Sequence, residues 1–294
     1  MSTKDTASSV LTEEGTSRFV QTKKWRLHYN EAGKGPPLIM LHGSGPGATG
    51  WSNFNSNVHE LSKFYRVILL DQPGWGQSDE VDPAKEARIT ACAEAVKLLM
   101  DELGIGKAVL VGNSMGGMTT LAFTILHPDR ISHCITMGVP APPGPPMMFT
   151  PGGSVTEGLR ILRETYIDPS PENLRRLVNV MVFDPSFATE ELMQQRSRAA
   201  LSNPRHLTNY LQPSPTASWG MEWDTAGDHL GKIRVPTLLM HGRDDRVVSL
   251  ENSLRMFGMI PNSHLHVFNR CGHWAQLEHA RVFNALVHAF ISSN

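Results

Sequence analysis

Residues that together make an acyl-transfer catalyst sit at three separate points of this 294-residue chain. A serine stands in Gly112-Asn113-Ser114-Met115-Gly116-Gly117, a histidine in Cys271-Gly272-His273-Trp274, and two adjacent carboxylates in the run from His241 to Val248, at Asp244 and Asp245. A serine hydroxyl is a poor nucleophile at neutral pH. It needs an imidazole to take its proton and a carboxylate to fix the tautomer of that imidazole. Ser114 follows the apolar run Ala108–Val111 and precedes the helical run Met118–Leu126. This is the strand-turn-helix setting in which a GxSxG segment exposes its serine above a sheet. Outside that setting the same residues would make an ordinary turn, with the glycines there only to let the chain bend.

Chain order in this kind of site puts the acid before the base and both after the nucleophile. Of 13 histidines, only those beyond about residue 230 qualify, and His273 stands just past the strand-like run Leu265–Phe268. His264 and His266 are expected on that strand, and His279 and His288 in the final helix, in structural or solvent-facing roles. Adjacent side chains at a strand end point in different directions, so only one of Asp244 and Asp245 can meet the imidazole. A solvated charged turn with Arg243 and Arg246 is the alternative use of these carboxylates. Acyl chemistry also needs backbone N–H groups aimed at a developing oxyanion. The amide of Met115 supplies one, and the Gly-rich loop His42-Gly43-Ser44-Gly45-Pro46-Gly47 supplies the second, most directly at Ser44. That loop has neither Walker A nor G-x-G-x-x-G spacing, which disfavours a nucleotide.

These residues must be positioned by an α/β scaffold. Short apolar runs at Pro37–Leu41, Val67–Leu70, Ala108–Val111 and Ile131–Met137 alternate with helical periodicity, notably Ala84–Leu103. The pattern predicts a mostly parallel central sheet with helices on both faces. The proline run from Gly138 to Pro146 breaks it, since so many prolines forbid helix interior and central strand. Residues from about 147 to 230 then read as short helices, including Pro171–Val182 and Thr189–Ala200, and residues 141–230 are expected to form a helical cap. Strand signals resume at Val235–Met240 and Leu265–Phe268, and a helix is expected over Ala280–Ile291. The core is thus split into residues 1–140 and 231–294.

Composition excludes several classes of function. With 27 Lys+Arg against 28 Asp+Glu, the net charge of -1 provides no field to draw nucleic acid or an anionic membrane surface. The start, MSTKDTASSV, has no apolar leader core, and no apolar run is long enough to span a bilayer, so a cytoplasmic location is expected. Cys92, Cys134 and Cys271 are far apart, without CxxC or Cys/His ligand spacing, so neither a disulfide framework nor a metal is expected.

Taken together, HGSGPGATGWSNF (42–54), DQPGWGQSD (71–79), GNSMGG (112–117), HGRDDRVVSL (241–250) and RCGHWAQLEH (270–279) resemble the meta-cleavage product hydrolases. These are carbon–carbon bond hydrolases of the α/β-hydrolase fold, acting on dienoates made by ring fission of catechols. The resemblance runs from about Thr16 to the C-terminus, and the PGA-x-GWSN and CGHWAQ segments are its most specific parts. The wider hydrolase pattern Gly-x-x-Asp-x-x-Val, counted from Gly242, selects Asp245 and leaves Asp244 as the fallback. The resemblance implies Ser114, Asp245 and His273 as catalytic triad and the amides of Ser44 and Met115 as oxyanion donors. Gly43, Gly45, Asn53 and Asn113 then lie near the dienoate. The segment EELMQQR (190–196) is similar to one that carries a substrate-binding arginine, which makes Arg196 the partner of the substrate carboxylate, with Trp274 beside it. A planar guanidinium suits that task because it binds a carboxylate bidentately. Ser44 departs from the pattern, since many members have glycine there. Met147, Met148, Met181, Met193 and Met221 could line an adaptable apolar pocket, although plain packing accounts for most such residues.

The implied reaction converts a 2-hydroxy-6-oxohexa-2,4-dienoate to a 2-hydroxypenta-2,4-dienoate and a carboxylic acid, without metal or organic cofactor. The implied assembly is a homo-oligomer, a dimer or higher. A carboxylesterase using the same triad and a hydrolase-like small-molecule receptor are the rival readings. A dehalogenase is disfavoured because its nucleophile position holds aspartate.

Overall fold

The computed structural model describes residues 11–142, 156–212 and 226–294. After a one-turn helix α1 (Glu13–Thr16) come β1 (Ser17–Gln21), β2 (Arg26–Ala32), β3 (Pro37–Leu41), α2 (Gly50–Leu61), β4 (Arg66–Leu70), α3 (Arg88–Glu102), β5 (Ala108–Asn113), α4 (Met115–Leu126) and β6 (Ile131–Met137). The last two strands, β7 (Thr237–Gly242) and β8 (Ser263–Phe268), follow a helical stretch. All eight form one sheet in the order β1-β2-β4-β3-β5-β6-β7-β8. β1 and β2 pair antiparallel with their neighbours, and every pairing from β4 to β8 is parallel.

The sheet is buried on both faces because its central strands are predominantly apolar, and successive side chains go to opposite sides. Ile39, Leu41, Ile68, Leu70 and Leu110 pack against α3 and α4. Leu38, Met40, Val67, Leu69 and Val111 pack against α2 and the C-terminal helix Ala280–Ser293 through Phe54, Val58, Phe283 and Val287. The hairpin of β1 and β2 is not among the strands expected from sequence. β1 lies at the sheet edge and is partly or fully exposed throughout, and β2 buries the polar His28 and Asn30, so neither gives an apolar run. His279 also departs from expectation. It sits at the junction between the short helix Ala275–Glu278 and the C-terminal helix, with its ring bonded to Arg270 O.

Between β6 and β7 lie α5 (Glu157–Ile167), α6 (Pro171–Met181), α7 (Glu190–Leu201), α8 (Pro204–Leu211) and the short helix Ala226–Leu230. Each of α5 to α8 starts at a side-chain cap, from Thr156, Ser170, Thr189 and Asn203, and Pro171 and Pro204 occupy first-turn positions that need no N–H. Ile161, Leu162, Leu174, Leu177 and Met193 form a core of their own, which also takes in Val247, Val248 and Trp274 from the loops that follow β7 and β8. This segment therefore rests on the carboxyl ends of the strands, where open α/β sheets bind ligands. Met147, Met148, Met221 and the remaining prolines of the run, Pro143, Pro145 and Pro146, lie outside the described residues. Among the described residues no helix is long and apolar enough to cross a membrane.

The tightest junction is the turn from β5 into α4. A Cβ on Gly116 would stand 2.0 Å from Leu41 O, and one on Gly112 would stand 2.2 Å from Gly116 O. The helix can lie this close to β3 only without side chains there. Gly116→Ala should cost about 3 kcal/mol of stability, since backbone on both sides blocks relaxation. A urea denaturation midpoint equal to that of the parent would contradict this packing.

Candidate active site

Ser114 occupies the turn between β5 and α4 with φ 53 and ψ -116, one of two non-glycine residues of positive φ among the described residues. Such a conformation costs on the order of 1–3 kcal/mol and persists only where its surroundings impose it. Here the Ser114 amide donates to Met137 O at 2.8 Å, and its carbonyl accepts from Met118 N at 3.0 Å. The amide of Met115 opens α4, at the positive end of the helix dipole and without an intrahelical acceptor.

Asp245, and not Asp244, meets the imidazole. Its Oδ2 lies 2.7 Å from His273 Nδ1, and its Oδ1 accepts from the amides of Val247 and Val248 at 2.8 and 2.9 Å. Asp244 turns toward Arg243 and the Cys271 amide. Burial alone would raise the Asp245 pKa, but the charge of His273 and hydrogen bonds from His241 and His273 outweigh it and hold the carboxyl well below its usual 3.8. His241 Nε2 is 3.4 Å from Asp245 Oδ2 and donates to Val248 O at 2.9 Å, while its Nδ1 lies 2.7 Å from Ser253 Oγ. The His273 backbone is tied on both sides: its N–H donates to Met181 O of α6 at 2.6 Å, and its carbonyl accepts from Asn113 Nδ2 at 3.2 Å.

The loop after β3 is fixed by buried polar contacts. His42 donates from Nδ1 to Gly43 O (2.8 Å) and accepts at Nε2 from Gln72 N (3.0 Å), and burial lowers its pKa so that it stays neutral. Gln72 Nε2 donates to His42 O at 2.7 Å, and Gln72 Oε1 accepts from Thr119 at 2.8 Å. Asn53 Oδ1 accepts from Gly43 N at 3.4 Å, which makes Asn53 a brace of this loop. From the helical segment, Tyr166 of α5 donates its hydroxyl to Ser44 O at 2.6 Å. The Tyr166 ring is stacked on Tyr210 of α8, with centroids 3.7 Å apart.

The nucleophile, the base, both oxyanion residues and the six substrate-binding residues nominated from sequence line one cavity, of about 800 Å³ with its open mouth, and Asp245 stands behind His273. Of the described methionines named for the pocket, Met181 lines it and Met193 is packed in the helical core instead. Two buried polar atoms of this lining have no partner among the described residues: Asn113 Oδ1 and Arg196 Nε. Arg196 is 4% exposed, lies 4.9 Å from the Trp274 ring centroid, and has its pKa pushed down to about 10 by burial. Sequence reasoning did not find Tyr166, Tyr210 or His241. The two tyrosines belong to no motif, and their contact with Ser44 spans more than 100 residues. His241 and His42 do carry a signal, since His241 is the penultimate residue of β7 and His42 directly follows β3, each within a segment already singled out.

Residues 36–280 match the family described as alpha/beta hydrolase fold. The chain is 44% identical over 289 residues to the 2-hydroxy-6-oxononadienedioate/2-hydroxy-6-oxononatrienedioate hydrolase of Cupriavidus pinatubonensis, covering 96% of this chain and 98% of that one. It is also 44% identical to the 2-hydroxy-6-oxo-6-phenylhexa-2,4-dienoate hydrolase of Burkholderia cepacia, with 96% and 99% covered. Among solved structures, a meta-cleavage product hydrolase from Pseudomonas fluorescens IP01 superposes with a TM-score of 0.83 at 31% identity, over 94% of this chain and 97% of that one.

Two outcomes follow from this geometry. Because the Asp245 pKa is lowered in the folded chain, its ionisation contributes stability above the usual 3.8, and that contribution is lost as pH falls through the lower folded value. Acidification from about pH 6 to about pH 3 should therefore destabilise the parent more than Asp245→Asn, as read from urea midpoints; equal losses would refute it. Tyr166→Phe frees the Ser44 carbonyl and should lower kcat about tenfold by loosening the adjacent amide, with KM little changed. A kcat within twofold of the parent would remove Tyr166 from any role in positioning.

Proposed function

The chain belongs to the meta-cleavage product hydrolases, within the alpha/beta hydrolase fold family, and on that footing we propose that it cleaves the C5–C6 bond of a 2-hydroxy-6-oxohexa-2,4-dienoate with water. The products are 2-hydroxypenta-2,4-dienoate and the carboxylic acid that carries the C6 substituent. One observation favours this reaction over ordinary ester hydrolysis: the buried Arg196 guanidinium, unpartnered at Nε among the described residues, shares a cavity with Ser114 and His273. A cation taken out of water without a counter-charge is costly, and a substrate carboxylate supplies that charge.

In this scheme Arg196, beneath Trp274, holds the C1 carboxylate and so sets the C6 ketone beside Ser114. The dienol first becomes a keto form, with His273 moving the proton that leaves the 2-hydroxyl and arrives at C5. Ser114 Oγ then adds to C6 while His273 takes its proton, and the amides of Met115 and Ser44 hold the oxyanion. As the oxyanion collapses, the C5–C6 bond breaks. Its electron pair runs into the C2 carbonyl to give the dienolate, and the acyl group stays on Ser114. His273 passes the proton it took from Ser114 to the dienolate oxygen, giving 2-hydroxypenta-2,4-dienoate. It then takes a proton from the water that attacks the acyl group and returns it to Ser114 Oγ as the acid leaves. Asp245 keeps the imidazole oriented and stabilises its protonated form. Residues 1–140 and 231–294 act as the catalytic core and residues 141–230 as a cap. We place the enzyme in the cytoplasm as a homo-oligomer.

Mixing the protein with coloured 6-phenyl or 6-alkyl dienoates should bleach them. Ser114→Ala should slow turnover on the order of 1000-fold or more, and Arg196→Gln should lower kcat/KM about 100-fold. Unaltered bleaching by Ser114→Ala would end the mechanism. An Arg196→Gln variant as fast as the parent would leave an esterase as the better description, and binding without bleaching would point to a receptor.

A further inference from the structure

A carboxylate has room for about four hydrogen bonds, and Asp245, with no side-chain surface open to water, must find them inside the protein. Its Oδ1 takes the amides of Val247 and Val248, and its Oδ2 takes His273 Nδ1 at 2.7 Å. A further donor approaches Oδ2: Nε2 of the fully buried His241, at 3.4 Å. The two oxygens facing that nitrogen, Asp245 Oδ2 and Val248 O, can only accept, so Nε2 carries hydrogen. On the other side of the ring, Nδ1 meets the buried hydroxyl of Ser253, on the helix Glu251–Met259, at 2.7 Å. The bond to Val248 O also closes the loop that carries Asp245, whose own amide donates to Gly242 O. Other ionisable groups on the adjoining elements have their own surroundings. Asp244 pairs with Arg243, Arg246 donates to Asn179 O and Val182 O, and Arg255 donates to Pro142 O. Glu251 lies in the first turn of the helix that carries Ser253, and on β8 the His266 ring packs on Phe268.

We propose that His241 is a positioning residue for the acid and base: its Nε2–H shares Asp245 Oδ2 with His273, and the Ser253 hydroxyl keeps its ring turned to do so. This role rests on His273 serving as the base, as proposed above, and not on which bond is hydrolysed. His241 does not line the cavity, so it acts on the substrate only through Asp245. A donor drawing on Oδ2 weakens the hold of the carboxylate on protonated His273, which lets the base release its proton more readily. Without that donor the imidazolium is bound more strongly and keeps its proton to higher pH. The carboxyl group is then also freer to turn, which slows each step in which His273 moves a proton.

The test titrates protein carrying isotope-labelled histidine and follows the His273 ring by NMR in the parent, His241→Phe, His241→Gln and Ser253→Ala. Alongside it, the pH dependence of kcat/KM is measured by bleaching of the 6-phenyl dienoate. His241→Phe removes the donor and should raise the His273 midpoint and the acid limb of kcat/KM together by about 1 pH unit, with kcat about tenfold lower and KM within about twofold of the parent. His241→Gln keeps an amide donor on that side and should return the midpoint to within about 0.3 unit of the parent. Ser253→Ala keeps the ring but frees it to turn, and should raise the midpoint by about 0.5 unit. A folded His241→Phe with the parental midpoint would overturn the proposal, because a purely structural role lowers stability without moving the titration of His273. So would His241→Gln displaced as far as His241→Phe. If His241→Phe does not fold, Ser253→Ala decides, and a midpoint equal to that of the parent overturns the proposal. Should the parent bleach no dienoate, the reaction proposed above falls, while the titration, which needs no substrate, still decides the role of His241.

Discussion

A carboxylate with almost no contact with water must be held ionised, and much of the site is arranged around that requirement at Asp245. Its oxygens take two backbone amides from the loop after β7, the ring of His273 from the loop after β8, and the approach of His241 from the end of β7. Removing any of these donors would leave a buried charge short of partners, a far larger penalty than the gain from any single bond. The two loops are therefore locked to each other. Because Val247, Val248 and Trp274 from the same loops enter the core of the helical segment, that segment inherits its seat from the pair.

The opposing strain is at Ser114. Its backbone conformation is unfavourable for a side chain bearing a Cβ, and it is imposed by the close passage of α4 over β3 at Gly116 and by the clasp of Met137 O on its amide. The elbow is thus a product of sheet packing, while the acid and base are a product of electrostatics in two loops. The bond from Asn113 to the His273 carbonyl joins the two.

The parallel strands were legible because they are apolar on both faces, and helix starts such as Thr189 and Pro171 were legible because capping chemistry is local. The β1–β2 hairpin was not, since an exposed edge strand and a strand that buries a histidine lack the apolar runs that mark their neighbours. Within the site, sequence named the nucleophile and base from context but could not choose between two adjacent aspartates without appeal to a family pattern. The direction of a side chain at a strand end is set by the loop that follows, here by the amides of Val247 and Val248. Tyr166 was beyond reach for a different reason. Nothing local distinguishes a helical tyrosine that packs in a core from one whose hydroxyl spans the chain to Ser44.

That hydroxyl also couples two parts that would otherwise be mechanically independent. Ser44 belongs to a loop anchored in the sheet through His42 and Gln72, whereas Tyr166 and Arg196 belong to the helices above. Any displacement of α5 away from the strands must either drag the Ser44 peptide plane or break its bond to Tyr166, and any accompanying shift of α7 withdraws the guanidinium. An open conformation would then be a poor catalyst as well as a poor binder, so a reactive acyl group would form only under a closed roof, away from stray nucleophiles.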